Sequence, residues 1–245
     1  MFKKLIKKTA AVLFWLAIWT VAAYLVSKPL LLPSPFAVAK RVFELCGEVF
    51  FWQSVGLSLV RIVTGILFSL IAGVIIGIAC ATSELVNVLI RPIMSVVKAT
   101  PVASFIMLAL LWIDRDILPA FISVLMVLPV VVSNVYTGIK STDKNLYEVT
   151  KVFRFGFYKK LRFLYFPTVR PYFLSACRSS LGLAWKAGIA AEVLAVPVLS
   201  IGKMIYESKL YLETTDLFAW TAVVVVLSVI IDAVFERVVN RSADI

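Results

Sequence analysis

The sequence predicts an all-α, polytopic membrane protein, and three observations carry that prediction. Hydrophobic residues make up 62% of the 245 and charged residues only 16%, giving a mean hydropathy of +0.99. Several apolar runs reach the roughly 20 residues that an α-helix needs to cross a bilayer. Between these runs lie short segments rich in Lys and Arg, which account for a formal charge of +11. Residues 1–245 read as one transmembrane domain, with an N-terminal helix in 1–30, core helices in 54–236 and a cytoplasmic element in 146–166.

The first span, Thr9 to Val26, follows the basic start MFKKLIKK. Its apolar run exceeds the ~7–15 residues of a secretory signal and lacks a small-residue cleavage site, so a retained helix is expected. Next, LLPSPFAVAKRVFEL carries a Pro-Ser-Pro turn and then Phe36, Val38, Ala39, Val42, Phe43 and Leu45, a pattern suited to a helix along the membrane surface. The second span runs from Ser54 to Cys80. The third, Pro92 to Ile113, is interrupted by Lys98 and Pro101, which predicts a broken or kinked helix. Ile117 to Ile139, Tyr172 to Val196 and Leu217 to Phe235 complete six spans, and PVLSIGKMIYESKLYLETTD forms a second surface segment between the last two.

Lys and Arg set the orientation, because cytoplasmic loops carry their excess. With the N-terminus inside, 16 fall on cytoplasmic segments and flanks: Lys3, Lys4, Lys7, Lys8, Arg91, Lys98, Lys140, Lys144, Lys151, Arg154, Lys159, Lys160, Arg162, Arg170, Arg237 and Arg241. Six fall outside: Lys28, Lys40, Arg41, Arg115, Lys203 and Lys209. Both termini are therefore expected in the cytoplasm. The bias, facing anionic lipid, explains the net charge without nucleic acid. Cys46, Cys80 and Cys177 lack metal-ligand spacing, and their odd number argues against a disulfide framework. The chain has no histidine, which removes His-dependent triads and HExxH zinc sites; no catalytic residue and no metal site are expected.

The stretch LYEVTKVFRFGFYKKLRFLYFPTVRPYF, residues 146–173, is unusually basic. At helical spacing Val149, Val152, Phe153, Gly156, Phe157, Leu161 and Leu164 share one side, while Lys151, Arg154, Tyr158 and Arg162 share the other. One to two short cytoplasmic helices are expected, ended by Pro167 and Pro171. Two readings are open from composition: a basic helix on anionic headgroups, or a docking surface with aromatic anchors.

The order of residues here resembles the permease subunits of bacterial ABC importers, in the branch that serves nitrate, sulfonate, taurine, bicarbonate and related solutes. That family's cytoplasmic signature is Glu-Ala-Ala, three residues, Gly, and then an aliphatic-x-Leu-Pro end. This chain has Glu148-Val149-Thr150 and, at matching distance, Leu164-Tyr165-Phe166-Pro167. LLPSP at 31–35, SLVRIVTG at 58–65, KATPVASFIMLALLW at 98–112, LGLAWKAGIAAEVLA at 181–195, TTDLFAW at 214–220 and Asp232 extend the likeness over nearly the whole chain. Val149 and Thr150 replace the two alanines, and Arg154 stands at the glycine position, so the turn lies either at Arg154 or two residues on at Gly156.

The resemblance implies the type I ABC importer permease fold, with a coupling helix formed by Glu148, Val149, Thr150, Val152, Phe153, Arg154, Gly156 and Phe157. It further implies two ATPase subunits that bind ATP and Mg, a second permease copy, an extracytoplasmic solute-binding protein and residence in the bacterial inner membrane. The chain itself would bind no cofactor, in keeping with its lack of a GxxxxGK[ST] phosphate loop. A small organic or inorganic anion is the expected solute, with a vitamin precursor or other small heterocycle as the alternative.

Ionisable groups inside spans are costly and raise functional questions. Arg61 and Arg178 are expected to pair, pack or snorkel. Lys186 and Glu192, six residues apart, would project about 120° from one another on a helix, so each faces the pore or a partner. For Lys186, pairing with an acidic group and lining the pore stand level. Thr100 and Trp185 join them as candidates for the solute path. A secondary transporter would be expected to show repeats and midplane ion sites, and a membrane enzyme would need the clustered carboxylates or histidines that this chain lacks.

Overall fold

A computed structural model describes the backbone of residues 2–243 and the side chains of residues 9–237. The basic side chains of Lys3, Lys4, Lys7, Lys8 and Arg241 lie outside the described residues. All regular elements among the described residues are helical: α1 Phe2–Val26, α2 Pro35–Cys46, α3 Val49–Thr82, α4 Glu84–Ala99, α5 Val102–Ala109, α6 Leu118–Lys140, α7 Lys144–Val152, α8 Phe157–Lys160, a π-helical turn Leu161–Tyr165, α9 Phe166–Ala195, α10 Ile201–Leu210 and α11 Thr214–Ala243.

Four of these have a stretch long and apolar enough to cross a membrane: Thr9–Val26, Val49–Thr82, Leu118–Lys140 and Thr214–Arg237. At 34 residues, α3 is about 51 Å long, well beyond a hydrocarbon core of ~30 Å, so it begins before and ends after the expected Ser54 to Cys80. The α4–α5 pair passes the same test only jointly, and it bends by 103° at Thr100–Pro101. Pro101 supplies no N–H to continue α4, and Thr100 before it takes the extended backbone that a following proline favours.

The chain folds as two compact units. The first contains Met1–Ser58 with Val196–Leu227. Here Ser34 caps α2 by accepting from the Ala37 N–H at 3.2 Å, and Ser200 caps α10 by accepting from the Lys203 N–H at 3.0 Å. The buried Ser58 hydroxyl accepts from the Ile201 N–H at 3.0 Å, which satisfies one of the open donors of α10. Trp19 donates to the Pro33 carbonyl, Thr214 donates to the Leu30 carbonyl, and Trp220 packs its ring 5.2 Å from that of Phe51. Arg41 of α2 grips Asp216 of α11 with two bonds, of 2.7 and 2.8 Å. Those bonds hold the Arg41 guanidinium above its ordinary pKa, so Arg41 stays charged.

The second unit contains Leu59–Ala195 with Ser228–Ile245. Glycines on α3 permit close packing on α6: a Cβ built at Gly73 would lie 2.7 Å from that of Val131, and one at Gly77 would lie 2.8 Å from that of Val135. Gly65 meets Ala120 and Ser123 in the same way, so residue numbers rise together and the two helices run parallel. Gly138 of α6 instead meets Val169 and Tyr172 of α9, whereas Ile122 shares a buried cluster with Ala187 and Ala191. Here numbers run oppositely, so α9 is antiparallel to α6. Since α3 and α6 end on the same side, the chain between them has to return to the other side. The bent α4–α5 pair is therefore one broken span, with α5 placing Ile106 and Ala109 against Leu118 and Ile122 at the start of α6.

The structure corrects one boundary. Pro167 and Pro171 do not end the basic element ahead of Tyr172; α8, the π-helical turn and α9 follow one another without a break, and α9 continues through Pro171. The structure also lowers the number of spans: the expected Tyr172 to Val196 lies on α9, whose Arg178, Lys186, Glu192, serines and glycines leave it less apolar than the four spans above, so among the described residues there are four, or five with α4–α5 as one, where six were expected. In the π turn the Phe166 N–H bonds to the Leu161 carbonyl, five residues back. This wider hydrogen-bond register absorbs the backbone at the point where Pro167 contributes no donor.

Candidate coupling element and solute-path residues

The 146–173 stretch begins as a capped nine-residue helix. Asp143 accepts from the Asn145 N–H at 2.7 Å and so starts α7. At its other end the Phe155 N–H bonds to the Thr150 carbonyl at 2.8 Å, and the Arg154 N–H to the Lys151 carbonyl at 3.0 Å. These paired bonds form a Schellman cap whose C′ residue is Arg154, with φ of 50°. The turn thus lies at Arg154, in the left-handed conformation that glycine adopts without strain. Gly156, at φ −66° and ψ 166°, is extended and precedes α8.

Tyr147 holds the two short helices together. Lys151 of α7 lies 4.9 Å from its ring centroid and Lys160 of α8 lies 5.4 Å from it, so the ring is shared by two ammonium groups. Thr150 and Leu164 are buried. Val149, Val152, Phe153 and Phe157 are exposed, the last three by 79%, 71% and 84%, and Glu148 is exposed beside them. Because the chain reverses at Arg154, the seven apolar positions from Val149 to Leu164 do not form one continuous helical stripe. They form an exposed apolar patch around the turn, with Leu164 turned into the fold.

The other candidates separate by burial. Glu192 is fully buried on α9, and Lys186, on the same helix, is exposed. The Glu192 carboxylate lies 3.9 Å from Arg61 of α3, whose guanidinium also donates to Asp116 at 2.6 Å. Arg61 therefore bridges two carboxylates brought together by α3, the α5–α6 connection and α9. Trp185 is 2% exposed and buried. Thr100 caps α4 and returns its hydroxyl to the Val96 carbonyl at 2.8 Å. Asp116 was not a sequence candidate, and nothing in its local sequence announces a partner 55 residues away. Asn87 and Arg91, which line a cleft between α4 and α6, were also not sequence candidates. Their spacing with Ser95 and Lys98, which repeats every three to four positions on an otherwise apolar helix, is the signal that could have found them.

The described fold is helical, with four stretches long and apolar enough to cross a membrane and an exposed, capped turn between α7 and α8. Residues 73–243, well over half the chain, match the family described as binding-protein-dependent transport system inner membrane component, and the chain belongs to that family. It is the multi-pass inner-membrane permease of an ABC importer of small solutes, working with an ATPase and a binding protein, and it is not the catalytic subunit. The chain is 27% identical to the putative aliphatic sulfonates transport permease protein SsuC of Bacillus subtilis over 92% of its own length and 82% of that protein's. It is 24% identical to the taurine transport system permease protein TauC of Escherichia coli, over 87% and 80% of the two chains. To the formylaminopyrimidine transport permease protein ThiX of Halalkalibacterium halodurans it is 26% identical, over 73% and 72%.

Proposed function

We propose that this permease pairs with a second copy of itself and imports a small anion, driven by two cytoplasmic ATPase subunits that dock on the α7–α8 turn. The observation that carries the docking assignment is the exposed patch of Val149, Val152, Phe153 and Phe157 around a rigidly capped turn. Large apolar side chains held by a fixed backbone are what an interface hot spot uses, since little conformational freedom remains to be lost on binding. ATP and Mg belong to the partner, and this chain responds by rigid movement of α7 and α8. Both termini and this turn face the cytoplasm, in line with the Lys/Arg bias.

An anionic solute is favoured by relatives named for sulfonates, taurine, bicarbonate and nitrate. A small heterocycle is the second reading, favoured by the formylaminopyrimidine relative. The test is co-purification of the permease with its ATPase subunit, followed by ATP-dependent uptake in proteoliposomes with the binding protein. Phe153→Asp with Phe157→Asp, or Glu148→Arg, is expected to abolish both association and uptake while the permease still inserts. Retention of both would overturn the docking assignment.

A further inference from the structure

The amphipathic pattern of α4 raises a question that the docking turn does not answer. Leu85, Val88, Leu89, Ile93 and Val96 are exposed apolar residues, as befits a helix in lipid. Asn87, Arg91, Ser95 and Lys98 recur every three to four residues and so form a polar stripe along the same helix. That stripe lines a cleft of about 380 Å³ whose opposite wall is the second half of α6, including Ser133 and Thr137. A guanidinium and an ammonium on one face of an otherwise apolar helix are expected to border a wet cavity rather than lipid.

The charge of the cleft has one sign. Arg91 and Lys98 line it, and no Asp or Glu does. Among the described residues neither cation takes part in an ion pair. Arg61 in the same unit contrasts with them, since it lies between two carboxylates. The Ser95 and Thr137 hydroxyls donate to the carbonyls of Arg91 and Ser133, one turn back on their own helices, and so keep their protons from the cleft. The mobile donors that remain on the α4 wall are the Asn87 amide, the Arg91 fork and the Lys98 ammonium. Ile90, Met94 and Val132 supply an apolar border. A planar fork, a point charge and an amide match the oxygens of a small oxyanion, while the apolar border tolerates a short carbon tail.

We propose that the α4–α6 cleft binds a small oxyanion, such as a carboxylate, a sulfonate or nitrate, and is a station on the solute's way through each permease copy. This rests on the reading of the solute as an anion, and it adds Arg91 and Lys98 as the residues that hold it. Because α4 begins and α6 ends on the same side, the cleft lies toward the side of the docking turn.

The test measures the field in the cleft directly, without transport. Thr137→Cys is placed in a chain carrying Cys46→Ala, Cys80→Ala and Cys177→Ala, reconstituted in phosphatidylcholine nanodiscs. The rates of modification by sulfonatoethyl and trimethylammonioethyl methanethiosulfonates are then compared with those for free cysteine. The anionic reagent is expected to be favoured by at least about tenfold relative to free cysteine, the low end of what a focused cationic cleft gives. Arg91→Gln and Lys98→Gln should each reduce that preference, and Arg91→Lys should retain most of it. Millimolar nitrate or methanesulfonate should slow modification in the parent and not in the Arg91→Gln, Lys98→Gln double variant.

Equal rates for the two reagents, or a preference that survives both neutralisations, would overturn the proposal. So would protection that appears only when phosphatidylglycerol is added and never with the small anions, because the occupant would then be a lipid headgroup. Failure of the ATPase-docking assignment would leave the reagent preference intact, so the two outcomes are separable.

Discussion

Arg154 is the residue at which this chain departs most instructively from its family. A glycine at C′ of a Schellman cap costs nothing in the left-handed region, whereas an L-residue there loses roughly 1–2 kcal/mol. Arg154→Gly is therefore expected to strengthen the cap by about 1 kcal/mol, roughly a fivefold gain in hydrogen-exchange protection at the Phe155 N–H. Arg154→Val, β-branched, should weaken it. The sequence placed the turn at one of two positions but could not choose between them, because the choice is made by hydrogen bonds from Phe155 and Arg154 back to Thr150 and Lys151.

Arg61 gives the second test at this scale. Glu192 is fully buried, so Arg61→Met would strand a carboxylate and cost about 3–5 kcal/mol. Adding Glu192→Gln should recover a good part of that loss, read as thermal stability in a double-mutant cycle. The sequence marked Arg61 and Glu192 as costly separate charges. Their pairing arises only when α3 and α9 meet, over 130 intervening positions that no local pattern records.

At the level of elements, spans were legible where apolar length was decisive, as in α3, α6 and α11. They were less legible where proline geometry took over. Lys98 and Pro101 announced a break, yet the 103° bend between α4 and α5 depends on how α5 seats Ile106 and Ala109 against α6 and α9. The parallel α3–α6 seam is a further case, since its glycines have meaning only opposite Val131 and Val135. Gly73→Leu and Gly77→Leu should each overpack that seam, by at least the usual ~1–3 kcal/mol. The expected readout is loss of the monodisperse peak in fluorescence-detected size exclusion. Gly182→Ala, with nothing within 4 Å of the added methyl, should leave the peak unchanged. In the α7–α8 element, Tyr147→Leu would remove the aromatic face shared by Lys151 and Lys160. It should reduce ATPase association less than loss of Phe153 and Phe157, because the clasp positions the patch without belonging to it.

For the molecule as a whole, packing within the second unit fixes which helix ends share a side. The parallel and antiparallel packing of α3, α6 and α9 requires the broken span between α3 and α6. The same parity puts the α7–α8 turn at the end of α6 that lies opposite the α5–α6 connection. Single cysteines at Tyr158 and Trp112, both exposed and in the same unit, should therefore be labelled from opposite faces of the membrane by an impermeant maleimide. Labelling of both from one face would reject that orientation. The family could be read from ordered strings spread along the chain. The solute could not, because selectivity in such a fold rests on which side chains border a cavity, and Arg91 and Lys98 acquire that role only once α4 lies against α6.

The π-helical turn at 161–165 also bears on how this chain can change length. A π turn accommodates one extra residue while leaving the helix on either side in nearly its original rotational phase. Deleting one residue within Leu161–Tyr165 should convert the turn to ordinary α-helix, with Lys160 still facing Tyr147 and Glu192 still facing Arg61. The same deletion inside α9 would rotate everything beyond it by about 100° and pull those partners apart. This short segment is thus the place where insertion and deletion can act on the α7–α8 end of the helix without resetting the buried contacts of α9.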